Sequence, residues 1–290
     1  MEMNDDVKSL KSGADMTRRG FVSTAVLATG YALAVSPAAA GAISTPADGL
    51  AAGAVMIPTP AGHSMPAYAA RPEGKGPLPT ILVIQEIFGV HEHIRDVCRR
   101  FARLGYLAVA PELYFRQGDP SAIADIPAIL STIVARVPDA QVMADLDAAA
   151  EWAAANGGDP ARLAVTGFCW GGRATWLYAA HNPRLKAAVA WYGRLMGGPT
   201  PETPRQPVDV AADLRAPVLG LYGGADQGIP PDTIEKMKAA AKLAHVPVEF
   251  VVYPDAPHAF HADYRPSYRE GPARDGWARA LAWLKAHGAA

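Results

Sequence analysis

The chain has 290 residues, 50% of them hydrophobic, two cysteines and a formal net charge of −1. At ~100–200 residues per domain, that length allows one large core or two small ones. Lys and Arg form no long run, so neither a nucleic-acid surface nor an electrostatic membrane patch is expected.

The first forty residues differ from the rest. Arg18-Arg19 stands inside Met16–Val22, no charged residue follows from Gly20 to Ala47, the Ala25–Val35 stretch is modestly apolar, and Ala38-Ala39-Ala40 offers a small-residue cleavage site. These parts in this order predict a twin-arginine export signal over residues 1–40, read by the export machinery. A lasting anchor needs ~20 strongly apolar residues, and Thr, Gly and Ser dilute this stretch. The expectation is therefore a periplasmic or secreted protein with no stable membrane association once the signal is removed. Residues 41–53 lack periodicity and read as a linker to a domain over residues 54–290.

Beyond the linker, short apolar runs alternate with amphipathic segments. The runs predict strands at Ile81–Gln85, Tyr106–Ala110, Leu163–Thr166, Ala187–Trp191, Val218–Tyr222 and Val248–Tyr253. Helices are predicted at His91–Leu104, Asp139–Ala155, Gly172–His181, Asp232–Leu243 and from about Arg274 to Ala286. Continuous apolar strands separated by helices imply an α/β fold, a single doubly wound and mostly parallel sheet flanked by helices. Ligands in such sheets bind beyond the carboxyl ends of the strands. Glu86, Cys169, Asp226 and His258 all follow strand ends. Cys98 falls on a predicted helix and Cys169 at a Gly-rich turn, so no disulfide between them is expected. His91 and His93 have a metal-compatible spacing, but at a helix start without further ligands they read as surface polarity, and no metal is expected.

Gly167-Phe168-Cys169-Trp170-Gly171 sits between a strand and a helix. This is the nucleophile-elbow pattern, with Cys in the place of Ser. Glycines flank the nucleophile because the turn leaves no room for side chains, and the helix start favours a thiolate. In α/β-hydrolases the acid and then the histidine follow the nucleophile in sequence. Asp226, after Gly223-Gly224-Ala225, and His258, after Pro254-Asp255-Ala256-Pro257, meet that order. Asp255 competes as the acid, but it shares a loop with His258 and is poorly placed to face it.

With Gln85-Glu86-Ile87-Phe88-Gly89, Pro111-Glu112-Leu113-Tyr114-Phe115-Arg116-Gln117, the Cys169 elbow and the His258 loop, residues 54–287 resemble the dienelactone hydrolase family. The resemblance implies a triad of Cys169, His258 and Asp226, and a Glu86 that contacts and helps activate the thiol, with burial raising its proton affinity. It also implies an oxyanion hole from the backbone N–H groups of Ile87 and Trp170, and an Arg116 that grips a substrate carboxylate. A second pocket arginine of the family is replaced here by His261, with Arg265 nearby. A small ester or lactone hydrolase without cofactor is expected, acting through an acyl-thiol intermediate. The same site also suits acyl transfer or thiol-dependent peptide cleavage. A binding protein of this fold without turnover is the non-enzymatic alternative, and the complete order of nucleophile, acid and histidine argues against it.

Overall fold

Strand β3 (Leu78–Ile84) is wholly buried from Ile81 onward because both faces of the sheet are covered. The computed structural model describes residues 42–290 apart from Lys75 and Ala124, so the expected export signal lies outside the described residues. Around β3 the chain builds β1 (Leu50–Pro58), β2 (Ser64–Pro72), α1 (Glu92–Arg103), β4 (Leu107–Pro111), α2 (Ile126–Thr132), α3 (Asp139–Ala155) and β5 (Gly158–Phe168). It continues with α4 (Trp170–His181), β6 (Ala187–Trp191), α5 (Pro207–Val210), β7 (Val218–Gly223), α6 (Pro231–Ala241), β8 (Val248–Tyr253) and α7 (Glu270–Ala286).

The strands form one sheet in the order β1-β2-β4-β3-β5-β6-β7-β8. Only β2 runs against the others, pairing antiparallel with both β1 and β4. The remaining pairs are parallel, and the order reverses at β3, which lies between β4 and β5. Trp191 on β6 packs toward Gly276 of α7, while on β7 Gly220, paired with Ala190, faces Trp176 of α4. Successive strand residues point to opposite faces, so α4 and α7 cover opposite sides. This is the α/β-hydrolase fold. No helix among the described residues is long and apolar enough to cross a membrane.

The sequence misses the β1–β2 hairpin. Leu50–Gly53, assigned to a linker, pair with Ala69–Pro72 as the start of β1. Both strands are rich in Ala, Gly and Pro, poor strand formers, and β1 is an edge strand with most residues at least partly exposed. Pairing, not propensity, makes it a strand. Helix α2 is missed too: seven residues show no periodicity, and its start is set by Asp125, which accepts from the Ala128 N–H at 2.9 Å. Leu104, expected in the apolar stripe of the first helix, caps α1 and is 50% exposed.

Candidate active site

The register of β3 against β5 sets Ile84 opposite Gly167. The chain leaving β3 through Glu86-Ile87 therefore emerges beside the chain leaving β5 through Cys169-Trp170. Contact is close: a Cβ on Gly171 would lie 2.5 Å from the Gln85 carbonyl oxygen and 2.6 Å from that of Ile84. On Gly167 it would lie 2.2 Å from the Gly171 carbonyl oxygen. The glycines of the elbow are required by backbone against backbone.

Cys169 is the N-cap of α4, with φ 56° and ψ −114°. A side chain held in so sparsely populated a region costs ~1–3 kcal/mol. Its N–H donates to the Trp191 carbonyl at 3.0 Å and its carbonyl accepts from the Arg173 N–H at 3.2 Å, which hold the turn between β6 and α4. The helix begins at Trp170, two residues earlier than expected. The Trp170 N–H, as the first of α4, has no acceptor within the helix.

On the neighbouring strands Gly223 pairs with Tyr253, and a Cβ on Gly223 would lie 2.2 Å from the Ala256 carbonyl oxygen. The loops after β7 and β8 thus touch, and His258 Nδ1 meets Asp226 Oδ2 at 2.6 Å. The other carboxylate oxygen of Asp226 accepts from the Gly228 N–H at 2.9 Å. Both side chains are buried, whereas Asp255 is exposed. Burial alone would lower the His258 pKa; the charges of Asp226 and Cys169 outweigh it and hold the imidazole well above its ordinary value. His258 Nε2 is buried without a partner in hydrogen-bond geometry.

Cys169 and His258 open into one cavity of about 270 Å³, also lined by Trp170, Tyr192, Arg173 and Arg194. Tyr192 has φ 38°, its ring lies 5.1 Å from that of His258, and its buried hydroxyl has no partner among the described residues. Burial, with the charges of Glu86 and Cys169, pushes the phenol up, so it stays protonated. Tyr192 and Arg194 were missed by motif reading, although Tyr192 follows the end of β6 as directly as Cys169 follows β5 and Arg194 lies two residues further on. Arg173 and Tyr264, also overlooked, carry no motif.

The other expected residues lie elsewhere. Glu86 is 1% exposed and is not among the residues lining the cavity; its Oε2 accepts from the Tyr264 hydroxyl at 2.5 Å and meets His91 Nε2 at 3.3 Å. Burial pushes this carboxyl up, as expected, but the hydrogen bond to His91 and the charges of His91, His93 and Arg265 outweigh it. The pKa falls to about 2. His91 and His93, read as surface polarity, are buried, because the first turn of α1 faces the strand ends. His93 lies among the rings of Phe168, Tyr264 and His261. Burial lowers the His91 imidazole more than Glu86 raises it.

Arg116 does not line the cavity. Its guanidinium forks onto the buried Asp145 at 2.6 and 3.0 Å and lies 4.2 Å from the Phe115 ring. His261 is stacked on Phe168 and Trp277 and buried as a neutral imidazole; Arg265 lies 5.8 Å from the Phe88 ring. Neither faces Cys169 across the cavity. Cys98 is a free, buried thiol that burial pushes up. Among the described residues no group of three or more His, Cys, Asp or Glu is arranged to hold a metal ion.

Residues 65–288 match the model of the dienelactone hydrolase family. A protein of Methylorubrum extorquens, provisionally named carboxymethylenebutenolidase, is 61% identical over 98% of this chain and 98% of its own length. One of Bradyrhizobium, provisionally named 2-oxo-3-(5-oxofuran-2-ylidene)propanoate lactonase, is 31% identical over 78% of this chain and 91% of its own. The crystal structure of a provisionally named dienelactone hydrolase from Klebsiella pneumoniae is 62% identical and superposes with a TM-score of 0.80, covering 81% of this chain and 98% of that one. With the fold, the elbow and these likenesses in agreement, the chain belongs to the dienelactone hydrolase family.

Proposed function

We propose that the protein hydrolyses small, anionic lactones or esters, with Cys169 as nucleophile, His258 as proton carrier and Asp226 as the residue that orients the imidazole. The observation that carries this is the convergence of a strained cysteine at a helix N-terminus with a histidine whose far nitrogen is held by a buried carboxylate at 2.6 Å. The raised His258 pKa favours an imidazolium beside a thiolate. The thiolate attacks the acyl carbon, and the tetrahedral oxyanion is met by the N–H groups of Ile87 and Trp170. As the intermediate collapses, His258 gives its proton to the leaving alkoxide. The ring of a lactone opens, and the acyl group stays on Cys169 as a thioester. Water, deprotonated by His258, then attacks the thioester; the C–S bond breaks, the acid is released, and the Cys169 thiolate is restored beside the imidazolium.

A cavity of about 270 Å³ favours a small substrate over a peptide, being near the low end of the ~300–1,000 Å³ range of small-molecule sites. The Bradyrhizobium relative's name describes a lactone carrying a carboxylate, in keeping with an anionic substrate here. Glu86, ionised and bound to His91 and Tyr264, acts as a fixed negative charge in the resting site and not as the base for the thiol. We also propose that the chain is exported by the twin-arginine route, on the strength of Arg18-Arg19 and the uncharged run behind them.

The test is turnover of a lactone and aryl-ester panel, including cis- and trans-dienelactone, by the wild type and Cys169→Ala. The variant should fold normally and lose ~10⁵–10⁶ in kcat, the scale seen when a triad nucleophile is removed. Near-normal turnover by Cys169→Ala would overturn the assignment. A wild type that binds lactones without turning them over would favour the binding-protein alternative.

A further inference from the structure

Tyr192 stands where the chain leaves β6, and the fold holds it there against its own backbone preference. Its φ of 38° lies in the left-handed region that favours glycine, a sparsely populated conformation that persists only where the surroundings enforce it. Here they do so on each side. The Tyr192 N–H donates to the Leu221 carbonyl at 2.8 Å, and the Trp191 carbonyl before it accepts from the Cys169 N–H at 3.0 Å. After it, a Cβ on Gly193 would lie 2.2 Å from the Gly172 carbonyl carbon, so the chain is wedged against α4. The ring lies 5.1 Å from that of His258 and 5.3 Å from that of Phe260. The hydroxyl at its end is buried with the rest of the side chain and has no hydrogen-bond partner among the described residues.

A buried donor left without a partner is rare enough to need a reason, and its neighbours supply one. The charged and titratable groups around the hydroxyl are Glu86, Cys169, Asp263, Tyr264 and Arg265, with His258 against the ring. Two of the anions are already engaged. Glu86 accepts from Tyr264 and meets His91, while Asp263 accepts from Arg100 at 2.5 Å and meets His93 Nδ1 at 3.3 Å. Cys169 shares the cavity wall with Tyr192 and is tied to it through the Trp191 carbonyl. We infer that Tyr192 serves the nucleophile: its O–H donates a hydrogen bond to the anionic sulfur of Cys169 and holds it as thiolate beside the His258 imidazolium. This role rests on the hydrolase reading above and adds a third group to the pair that carries the charge. Burial keeps the phenol protonated, so it acts as a donor and never as a competing anion. Hydrogen bonds to charged groups are worth more than neutral ones, and a low-dielectric site strengthens them further. The same sulfur departs as thiolate when the thioester is hydrolysed, so the donor assists both halves of the reaction.

The test follows the rate of Cys169 alkylation by the neutral reagent iodoacetamide against pH, in the wild type and in Tyr192→Phe, which removes the hydroxyl and keeps the ring. Cys98 is fully buried, and peptide mapping confirms the labelled site. In Tyr192→Phe the midpoint of the acid limb should rise by about one pH unit, so that the rate below it falls about tenfold, as befits loss of a hydrogen bond to a charged group. An unmoved midpoint overturns the inference. A second measurement separates this role from a structural one. In the Cys169→Ala background, where there is no sulfur to serve, adding Tyr192→Phe should leave the urea midpoint unchanged or raise it, because a buried hydroxyl without a partner only costs the fold. A lower midpoint there, or a Tyr192→Phe protein that fails to fold, shows that the hydroxyl has a structural partner and overturns the inference too. Alkylation requires no turnover, so it decides the role of Tyr192 even if the wild type hydrolyses no lactone or ester. Hydrolysis by the wild type with an unmoved midpoint sinks the role of Tyr192 alone.

Discussion

Arg116 and Asp145 form a two-pronged ion pair in which the carboxylate side chain is 1% exposed and the guanidinium 20%. The arginine that the family pattern assigns to substrate thus holds β4's outgoing loop to α3. Removing it strands a buried carboxylate, which typically costs ~3–5 kcal/mol. Arg116→Ala is expected to lower the urea midpoint sharply, with the preference for anionic over neutral esters kept at the wild-type ratio. A selective rise in KM for anionic lactones, at wild-type stability, would return Arg116 to the substrate.

The boundary between what was legible and what was not follows from the range of the interactions. Strands β3 and β5 to β7 declare themselves because consecutive residues are apolar enough to be covered by helices, and the edge strand β8 by its β-branched and aromatic residues. Cys169, Asp226 and His258 could be ordered because each follows a strand end, and parallel strands bring such ends together. The β1–β2 hairpin stayed hidden because its residues favour no strand and it is made by pairing. The place of Arg116 could not be read from its own motif, since its partner lies 29 residues away on α3. For the same reason the burial of His91 and His93, and their effect on Glu86, required the three-dimensional packing of α1 on the strand ends.

The elbow's glycines can be tested apart from its chemistry. In Gly171→Ala the new methyl would press on the backbone carbonyls of Gln85, just past β3, and of Ile84, its last residue, at 2.5 and 2.6 Å, and neither can rotate away. Overpacking of this kind costs ~1–3 kcal/mol. The variant should melt several degrees lower and lose activity. Gly53→Ala, with no atom within 4 Å of the added carbon, should melt within a degree or so of the wild type. Equal behaviour of the two would mean that the loops of β3 and β5 do not abut as described.

Export is checked by following the precursor in cells. With Arg18 and Arg19 both replaced by Lys, the charge is kept and the receptor-read pair is lost. The protein should accumulate in the cytoplasm, where fractionation would find it unprocessed. Arrival of the Lys-Lys protein in the periplasm would assign export to some other feature of residues 1–40.

Glu86 links the site to acid stability, and the sign can be worked out. Its pKa is lowered from 4.5 to about 2 in the folded chain. A depressed carboxylate stabilises the fold above its unfolded pKa, and that contribution disappears as pH falls through the folded value. That contribution is lost between about pH 4.5 and 2. Glutamine still accepts from Tyr264 but carries no charge for His91, His93 and Arg265 to hold. Glu86→Gln should therefore be less stable than the wild type at pH 7, and the gap should close as the pH is lowered toward 2. Taking the difference between the two proteins cancels the other carboxylates that titrate over the same range. Urea unfolding at a series of pH values measures it. A gap that stays constant from pH 7 to 2 would show that ionised Glu86 is not what its neighbours are built to hold.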